Sequence, residues 1–336
     1  MNKELLKKTA EALVATGKGI LAADESNGTM GKRLASIGMP NEESYRQGWR
    51  QTVFTTPNLG NYISGIILFD ETLRQSTTDG QKFTDTLKSQ NIIPGIKVDA
   101  GLIAFGEGEN VTEGLEGLAD RLAEYAEMGA GFAKWRALIN ITDTNPTQKC
   151  VDENAKRLAE YAWLCQEAGI VPIVEPEVLM DGDHTFERCK EATLQTFASV
   201  FNALEERGVY FEGMLLKPSM VVSGASCVTQ ATADEVAKAT VEVLNATVNE
   251  NTAGIVFLSG GQSDEDATMH LNLMNQMGVT PWPLSFSYGR ALQAAGLQAW
   301  GGKSENVAAA QRVLALRSKC NGAAATGKYS ESMEAA

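Results

Sequence analysis

The chain has 336 residues, of which 43% are hydrophobic and 21% are charged, and its formal net charge is −13. This composition is ordinary for a globular protein with a large core, and the acidic balance argues against nucleic acid or an anionic membrane as the main partner. The five cysteines include no C-x-x-C pair, which disfavours a disulfide framework and a structural zinc site.

The N-terminal segment is rich in lysine, but it also carries Glu4 and Glu11 and has no unbroken apolar stretch. It therefore predicts an amphipathic helix over residues 1–16 and not a signal or transit peptide. No run of about 20 apolar residues follows it. We expect a cytoplasmic protein without membrane contact.

From there the chain repeats one pattern, in which a short apolar run is followed by a polar turn and an amphipathic helical stretch. The predicted strands are residues 19–23, 63–69, 92–98, 132–136, 170–176, 213–218, 254–260 and 284–289. The predicted helices between them include residues 113–129, 153–169, 233–249 and 264–278. Because the apolar runs alternate little, we expect parallel strands that are buried on both faces. Eight such units predict an α/β fold, a single (β/α)8 TIM barrel.

The rival fold is an open doubly wound sheet, which has a G-x-G-x-x-G turn directly after its first strand. The nearest match, residues 17–22, precedes and enters that strand, so the closed barrel is favoured. No linker or shift in composition divides the chain, and we expect one catalytic domain over residues 1–336. The small and polar residues of 321–336 predict a flexible tail.

Ionisable residues recur at the carboxyl ends of the predicted strands, where barrel enzymes carry their active sites. They are Asp24, Lys97, Lys134, Arg136, Glu175, Glu177 and Lys217. A lone lysine in a strand is usually a solvated edge residue, but lysines inside apolar runs need charged partners. Lys134 and Arg136 lie two residues apart and project to one face, and the two glutamates do the same. The pattern predicts a charge-compensated cluster at the barrel mouth.

These residue types point to a particular chemistry. A lysine in a partly desolvated pocket beside other cations has a lowered pKa, so it can attack a carbonyl and form a Schiff base. The iminium then accepts electrons while a carbon–carbon bond is cleaved or formed. Asp24 and Glu175 are suitable types for the base at the substrate hydroxyl and for the acid or base of iminium formation.

Glycine-containing turns follow the last two predicted strands, at Ser259-Gly260-Gly261 and at Ser287-Tyr288-Gly289-Arg290. Backbone amides of such turns at helix N-termini bind anions, and these loops form the recurrent phosphate site of barrels. The segment after the first strand, residues 24–33, predicts a second anion site, with a solvated helix cap as the alternative. Two phosphate sites around a Schiff-base lysine suit a sugar bisphosphate.

A metal is not expected. The chain has only two histidines, His184 and His270. A zinc site with three histidine ligands therefore cannot form within one chain. Lysines at the barrel mouth oppose a carboxylate site for magnesium. We expect no cofactor.

Eight stretches extend these single residues into longer motifs, namely L-A-A-D-E-S, G-I-K-V-D, F-A-K-W-R, I-V-P-I-V-E-P-E-V-L, D-G-D-H, L-L-K-P, F-L-S-G-G-Q-S and F-S-Y-G-R-A-L-Q. They closely resemble class I fructose-1,6-bisphosphate aldolases of the animal, plant and cyanobacterial type, over residues 17–329. The resemblance implies reversible, metal-free cleavage of fructose 1,6-bisphosphate to dihydroxyacetone phosphate and glyceraldehyde 3-phosphate. It also implies sugar-phosphate substrates in glycolysis, gluconeogenesis or the Calvin cycle, and a homotetramer.

The resemblance assigns roles by matching motif. Lys217 in L-L-K-P resembles the Schiff-base lysine. Glu175, with Glu177 beside it, resembles the acid or base of iminium formation. Asp24 in A-A-D-E-S resembles the group that handles the C4 hydroxyl proton during cleavage.

The remaining assignments concern substrate binding. Lys134 and Arg136 resemble an electrostatic and hydroxyl-positioning pair. The residues that resemble the C1-phosphate site are Ser259, Gly260, Gly289 and Arg290, and Ser287 is expected to bind substrate as well. The residues that resemble the region of the C6 phosphate are Ser26, Thr29, Arg33 and Lys97.

Two departures from the family pattern are visible. Thr29 stands where serine is usual, which retains the hydroxyl. The family's terminal tyrosine, which assists proton exchange on the enamine, has no counterpart after Tyr329, so we predict slower or differently assisted exchange with cleavage retained. Two alternatives stay open, another Schiff-base sugar-phosphate aldolase or transaldolase and a non-catalytic binding scaffold on the same fold.

Overall fold

Strands and helices alternate along the chain in the computed structural model, which describes residues 1–106 and 108–335. The strands are β1 (Gly19–Ala23), β2 (Ile63–Leu68), β3 (Ile93–Lys97), β4 (Gly101–Gly106), β5 (Glu109–Glu113), β6 (Phe132–Ile139), β7 (Val171–Val178), β8 (Leu215–Leu216), β9 (Gly254–Phe257) and β10 (Leu284–Tyr288).

The helices cover the segments between these strands and both ends of the chain. They are α1 (Lys3–Leu13), α2 (Asn27–Ala35), α3 (Glu43–Phe54), α4 (Asp70–Arg74), α5 (Phe83–Ser89), α6 (Leu118–Glu127), α7 (Gln148–Glu167), α8 (Phe186–Arg207), α9 (Ala233–Thr247), α10 (Asp264–Met277), α11 (Arg290–Trp300) and α12 (Val307–Ala324). Within residues 1–106 and 108–335, no helix combines the length and the apolar content needed to cross a membrane.

The barrel consists of eight parallel strands, which pair in the order β1-β10-β9-β8-β7-β6-β3-β2. The pairing of β1 with β10, with Ile20 opposite Ser287, closes the circle. Every residue of β1, β2, β7 and β10 is buried, as the uninterrupted apolar runs predict. Each of the eight predicted strands forms, and the prediction of a (β/α)8 barrel is confirmed.

One hairpin was absent from the sequence prediction. Strands β4 and β5 pair antiparallel with each other outside the barrel, and Glu113, the predicted start of a helix, instead ends β5. Gly114 and Gly117 follow with φ of 130° and 62°, so the chain turns sharply before α6 begins at Leu118. β4 is largely exposed, and therefore lacks the buried apolar run that marks the barrel strands.

The N-terminal helix closes one end of the barrel. Leu6, Ala10 and Leu13 of α1 are buried and share a cluster with strand side chains such as Phe132. Gly19 gives room at this end, because a Cβ there would lie 2.6 Å from the ring of Phe286. The opposite end, where the strands terminate, is left open.

The C-terminal segment packs on the outside of the helical layer. The predicted tail over residues 321–336 begins inside α12, which continues to Ala324 because its alanine-rich sequence contains no proline. Tyr329 is only 6% exposed, and its N–H donates to Asn272 Oδ1 at 2.9 Å. Glu334 accepts from the hydroxyl of Tyr329 at 3.1 Å.

Arg317 anchors this segment. Its buried guanidinium donates to the Asp264 carbonyl at 2.8 Å, to Thr268 Oγ1 at 2.7 Å and to the carboxylate of Glu334. Burial disfavours the charged form, but the bond and the charge of Glu334 outweigh it and raise the pKa of Arg317. The carboxylate therefore balances a cation that is already withdrawn from water.

We expect Glu334→Gln to destabilise the fold by about 1–3 kcal/mol, because a buried guanidinium loses its charged partner. Urea unfolding followed by tryptophan fluorescence measures the change. Glu331→Gln is the matched control, since Glu331 is exposed three residues earlier. Equal midpoints for both variants would show that Arg317 does not need this carboxylate.

Candidate active site

A cavity of about 710 Å³ opens where the carboxyl ends of the barrel strands meet. Parallel strands that all end at one rim bring residues from distant parts of the chain together there. All residues predicted for the site line this cavity, namely Asp24, Ser26, Thr29, Arg33, Lys97, Lys134, Arg136, Glu175, Glu177, Lys217, Ser259, Gly260, Ser287, Gly289 and Arg290.

The ammonium group of Lys134 is the centre of the charge cluster. Its side chain is 4% exposed, and its Nζ lies 2.8 Å from Asp24 Oδ2 and 3.2 Å from Glu175 Oε2. A third carboxylate, Asp99 Oδ2, lies 3.9 Å away. An unpaired ammonium at this depth would be costly, so the three carboxylates permit a lysine inside the barrel mouth.

Strand register places these groups beside one another. Lys97 on β3 lies opposite Lys134 on β6, and Arg136 on β6 lies opposite Glu175 on β7. Side chains two residues apart on a strand project to the same face, so Lys134 and Arg136 both reach the cavity. Arg136 donates to the carboxylate of Glu177, which forms a second ion pair nearer the rim.

Lys217 directly follows the short strand β8 and continues its pairing, because its backbone N–H donates to the Val174 carbonyl at 2.8 Å. Its Nζ lies 3.0 Å from Glu175 Oε1, and both side chains are 5% exposed. The carboxylate of Glu175 thus lies between two lysines, with one oxygen towards Lys217 and the other towards Lys134.

Ionisation of the cluster follows from this balance. Burial by itself raises the pKa of Asp24, but the charges of Lys134 and Lys217 outweigh it and hold that pKa well below its usual range. Glu175 behaves in the same way, so burial is again outweighed and its pKa is lowered. Burial by itself lowers the pKa of Lys134, but the charges of Asp24 and Glu175 outweigh burial. They raise this pKa above its usual value and keep the ammonium charged.

One end of the cavity is formed by the loops after β9 and β10. Gly260 has a φ of 58°, a conformation that glycine adopts without strain, and its carbonyl accepts from the Arg290 guanidinium. Helix α11 begins at Arg290, and its N-cap, Gly289, has no side chain to accept from the first turn. Free backbone N–H groups beside a guanidinium can bind an anion.

The N-terminus of the neighbouring helix α10 differs from that of α11. The N-terminus of α10 is capped by Ser263, and its first turn contains three acidic residues. The N–H of Gly261 donates to Met180 Sδ at 3.0 Å. Only the Ser259-Gly260 part of this turn lines the cavity, so anion binding by the amides of this turn stays a prediction for those two residues.

A second group of polar residues lies after β1. Ser26 caps α2 by accepting from the Thr29 N–H at 3.3 Å. Arg33 Nε lies 3.7 Å from Glu25 Oε1, and this buried nitrogen has no hydrogen-bond partner among residues 1–106 and 108–335. The buried Arg50 donates to Glu25 at 2.7 Å. Glu25 therefore fixes Arg33 at the wall and leaves a donor available.

Sequence reasoning missed two acidic residues of this site. Glu25 and Asp99 both line the cavity, and Asp99 Oδ1 accepts from Lys97 Nζ at 2.5 Å. The signal for Asp99 was its position two residues after Lys97, on the same face of an extended segment. The signal for Glu25 was weaker, because its partner Arg50 lies in a helix that the strand pattern does not mark.

The chain is similar to known proteins over almost its whole length. The profile of the family described as "Fructose-bisphosphate aldolase class-I" matches residues 5–336. A probable fructose-bisphosphate aldolase class 1 of Xanthomonas axonopodis pv. citri is 54% identical over 332 residues, which are 98% of this chain and 99% of that relative. Fructose-bisphosphate aldolase 2 of Caenorhabditis elegans is 52% identical over 330 residues, which are 97% of this chain and 90% of that relative.

A solved structure gives the same result. Fructose-bisphosphate aldolase from Plasmodium falciparum, in complex with TRAP and a small-molecule inhibitor, superposes with a TM-score of 0.96 at 48% identity. The match covers 98% of this chain and 96% of that chain.

The charge balance predicts an unusual pH dependence for Lys134→Met. In the native protein the lowered pKa values of Asp24 and Glu175 mean that their ionised contacts stabilise the fold above about pH 4 and are lost only below it. The variant leaves two buried carboxylates without this cation, which we expect to cost about 3–5 kcal/mol at pH 7.

As the pH falls from 7 towards about 4, the variant should regain stability because its carboxyl groups protonate in the folded state. The native protein should not change over that range through these groups. Urea unfolding at several pH values measures the gap, and Lys303→Met, at an exposed lysine, corrects for general effects of charge. A gap that stays constant with pH would contradict the predicted balance.

Proposed function

Because the chain belongs to the class-I fructose-bisphosphate aldolase family, we propose that it is an aldehyde-lyase that reversibly cleaves fructose 1,6-bisphosphate through a Schiff base on Lys217. The products are dihydroxyacetone phosphate and glyceraldehyde 3-phosphate. The observation that carries the proposal is the contact of Lys217 with Glu175 at 3.0 Å, inside a cavity with cationic and amide groups at its ends.

Lys217 attacks the C2 ketone of the open-chain sugar in this proposal. Attack gives a carbinolamine, and loss of water then gives the iminium. Glu175 supplies and removes the protons of these steps, and its distance of 3.0 Å from the nitrogen supports that role. The neighbouring ammonium of Lys134 stabilises the ionised carboxylate while the proton is away.

Cleavage needs a base at the C4 hydroxyl. Asp24 is the candidate, because the carboxylate is buried, ionised and in contact with Lys134 at 2.8 Å. When Asp24 takes the hydroxyl proton, the C3–C4 bond breaks and its electron pair moves towards the iminium, which becomes an enamine. Protonation of the enamine at C3 and hydrolysis of the iminium then release the second product.

Substrate ends are held by different parts of the barrel rim in this proposal. The C1 phosphate binds Ser259, Gly260 and the N-terminus of α11 with Arg290, which is supported by the uncapped first turn of that helix. The C6 phosphate binds the region of Ser26, Thr29, Arg33 and Lys97. Arg136 and Glu177 position hydroxyl groups between the two ends, and Ser287 contributes a further hydroxyl.

The assembly and location of the protein are proposed from family membership alone. We propose a cytoplasmic homotetramer that needs no metal and no cofactor. Light scattering coupled to size-exclusion chromatography measures the mass against the 36.0 kDa of one chain. A monomeric mass at micromolar concentration would contradict the tetramer.

Incubation with dihydroxyacetone phosphate in EDTA, followed by borohydride reduction, should attach the reduced substrate covalently to Lys217. Peptide mapping by mass spectrometry locates the added mass. Lys217→Arg should abolish the label. A control protein that carries only Lys303→Met should keep it. Failure to label Lys217, together with cleavage that EDTA inhibits, would contradict the Schiff-base mechanism.

Asp24→Asn should separate the two halves of the reaction. Removal of a general base typically costs about 10²–10⁴-fold in rate, so kcat for cleavage should fall by that factor. Labelling of Lys217 by dihydroxyacetone phosphate should persist, because iminium formation relies on Glu175. A variant that loses labelling and cleavage together would show that Asp24 acts before the bond-breaking step.

A further inference from the structure

Asp99 connects two lysines that the proposed function assigns to different tasks. Its Oδ1 lies 2.5 Å from Nζ of Lys97, at the end proposed for the C6 phosphate. Its Oδ2 lies 3.9 Å from Nζ of Lys134, beside the proposed reaction centre. We propose that Asp99 is a positioning residue that makes cleavage depend on the second phosphate of the substrate, an inference that rests on the proposed function.

The backbone around Asp99 is held from three sides. The N–H of Val98 donates to the Lys134 carbonyl at 3.0 Å, and the N–H of Ala100 donates to the Glu113 carbonyl at 2.7 Å. The Val98 carbonyl accepts from the Arg121 guanidinium at 3.0 Å. Because its neighbours on both sides are fixed, the carboxylate responds to a ligand by exchanging partners and not by moving away.

Lys97 is available to such a ligand. Its ammonium contacts the carboxylate of Asp99 and the backbone carbonyl of the same residue at 3.0 Å, and its side chain is 19% exposed at the cavity wall. A phosphate dianion competes with one carboxylate for a lysine by virtue of its larger charge. When Lys97 turns to the phosphate, the carboxylate of Asp99 loses its closest cation.

The released carboxylate then acts on Lys134. Asp99 is at present the most distant of the three carboxylates around that ammonium, at 3.9 Å against 2.8 Å for Asp24 and 3.2 Å for Glu175. Coulomb attraction varies inversely with distance, so the contact strengthens as Lys134 shifts towards Asp99. That shift loosens the ion pair between Lys134 and Asp24.

A loosened Asp24 is a better base. Burial favours the neutral form of Asp24, and the charge of Lys134 is the main influence that keeps its carboxylate ionised. A weaker contact with Lys134 therefore raises the proton affinity of Asp24. It also frees Oδ2 for the C4 hydroxyl. Phosphate binding at Lys97 is thereby coupled to proton abstraction at Asp24. This coupling should affect kcat. A sugar with a phosphate only at C1 has no group for Lys97 and should therefore not benefit from the coupling.

The first experiment compares fructose 1,6-bisphosphate with fructose 1-phosphate on Asp99→Asn, which keeps the shape of the side chain and removes its charge. We expect kcat for the bisphosphate to fall about ten-fold, within the roughly 5–150-fold range of coupling between sites. We expect kcat for the 1-phosphate to fall by a clearly smaller factor, because only the bisphosphate draws Lys97 away from Asp99. Asp143→Asn is the matched control, because Asp143 is exposed.

A double-mutant cycle with Lys97→Gln tests whether the two residues act as one unit. The double variant should be no slower on the bisphosphate than the slower single variant. Equal losses on both substrates, or additive losses in the cycle, overturn the proposal, since Asp99 would then support Lys134 regardless of phosphate. Failure of the unmodified protein to cleave either sugar would instead refute the proposed function.

A second measurement begins with the unmodified protein. Inorganic phosphite supplies a dianion for Lys97 without a sugar attached, and it should raise kcat of the unmodified protein on saturating fructose 1-phosphate. Asp99→Asn, where it folds, should show no such activation. Absence of activation in the unmodified protein, or the same activation in the variant, overturns the proposal.

Discussion

The buried ammonium of Lys134 is the constraint on which the barrel mouth depends. A cation at 4% exposure is tolerated only because carboxylates from three separate parts of the chain surround it. Asp24 follows β1, Asp99 follows β3 and Glu175 lies on β7, so the ion pairs also hold these strand ends together. The same contacts set the ionisation of Asp24 and Glu175, and a structural requirement thus prepares the groups for proton transfer.

The barrel gives this cluster its asymmetry. Lys217 and Lys134 reach opposite oxygens of Glu175, because they come from strands on either side of β7. One lysine is tied to further carboxylates and remains an ammonium, while the other has only Glu175 within ion-pairing distance among the described residues. Two lysines in one cavity therefore have different environments, which is what separate roles as electrostatic partner and nucleophile require.

Elements outside the barrel support the end of the cavity that the loops after β9 and β10 form. Arg317 on α12 binds carbonyl and hydroxyl groups of α10, and through Glu334 it also binds the last residues of the chain. Tyr329, the last tyrosine, is committed to this packing through Asn272 and Glu334. The C-terminal segment thus stabilises the helical layer behind the β9 and β10 loops.

The sequence by itself determined the eight barrel strands, the rim as the location of the site and all the predicted residues that line the cavity. It could do so because buried parallel strands leave long apolar runs, and a charge at the end of such a run stands out. Only the tertiary structure decided which carboxylate meets which lysine, because a partner such as Asp99 for Lys134 is set by strand register and not by spacing along the chain. The tertiary structure also decided the β4–β5 hairpin and the capped N-terminus of α10, since an exposed strand and a local serine cap carry no periodic signal.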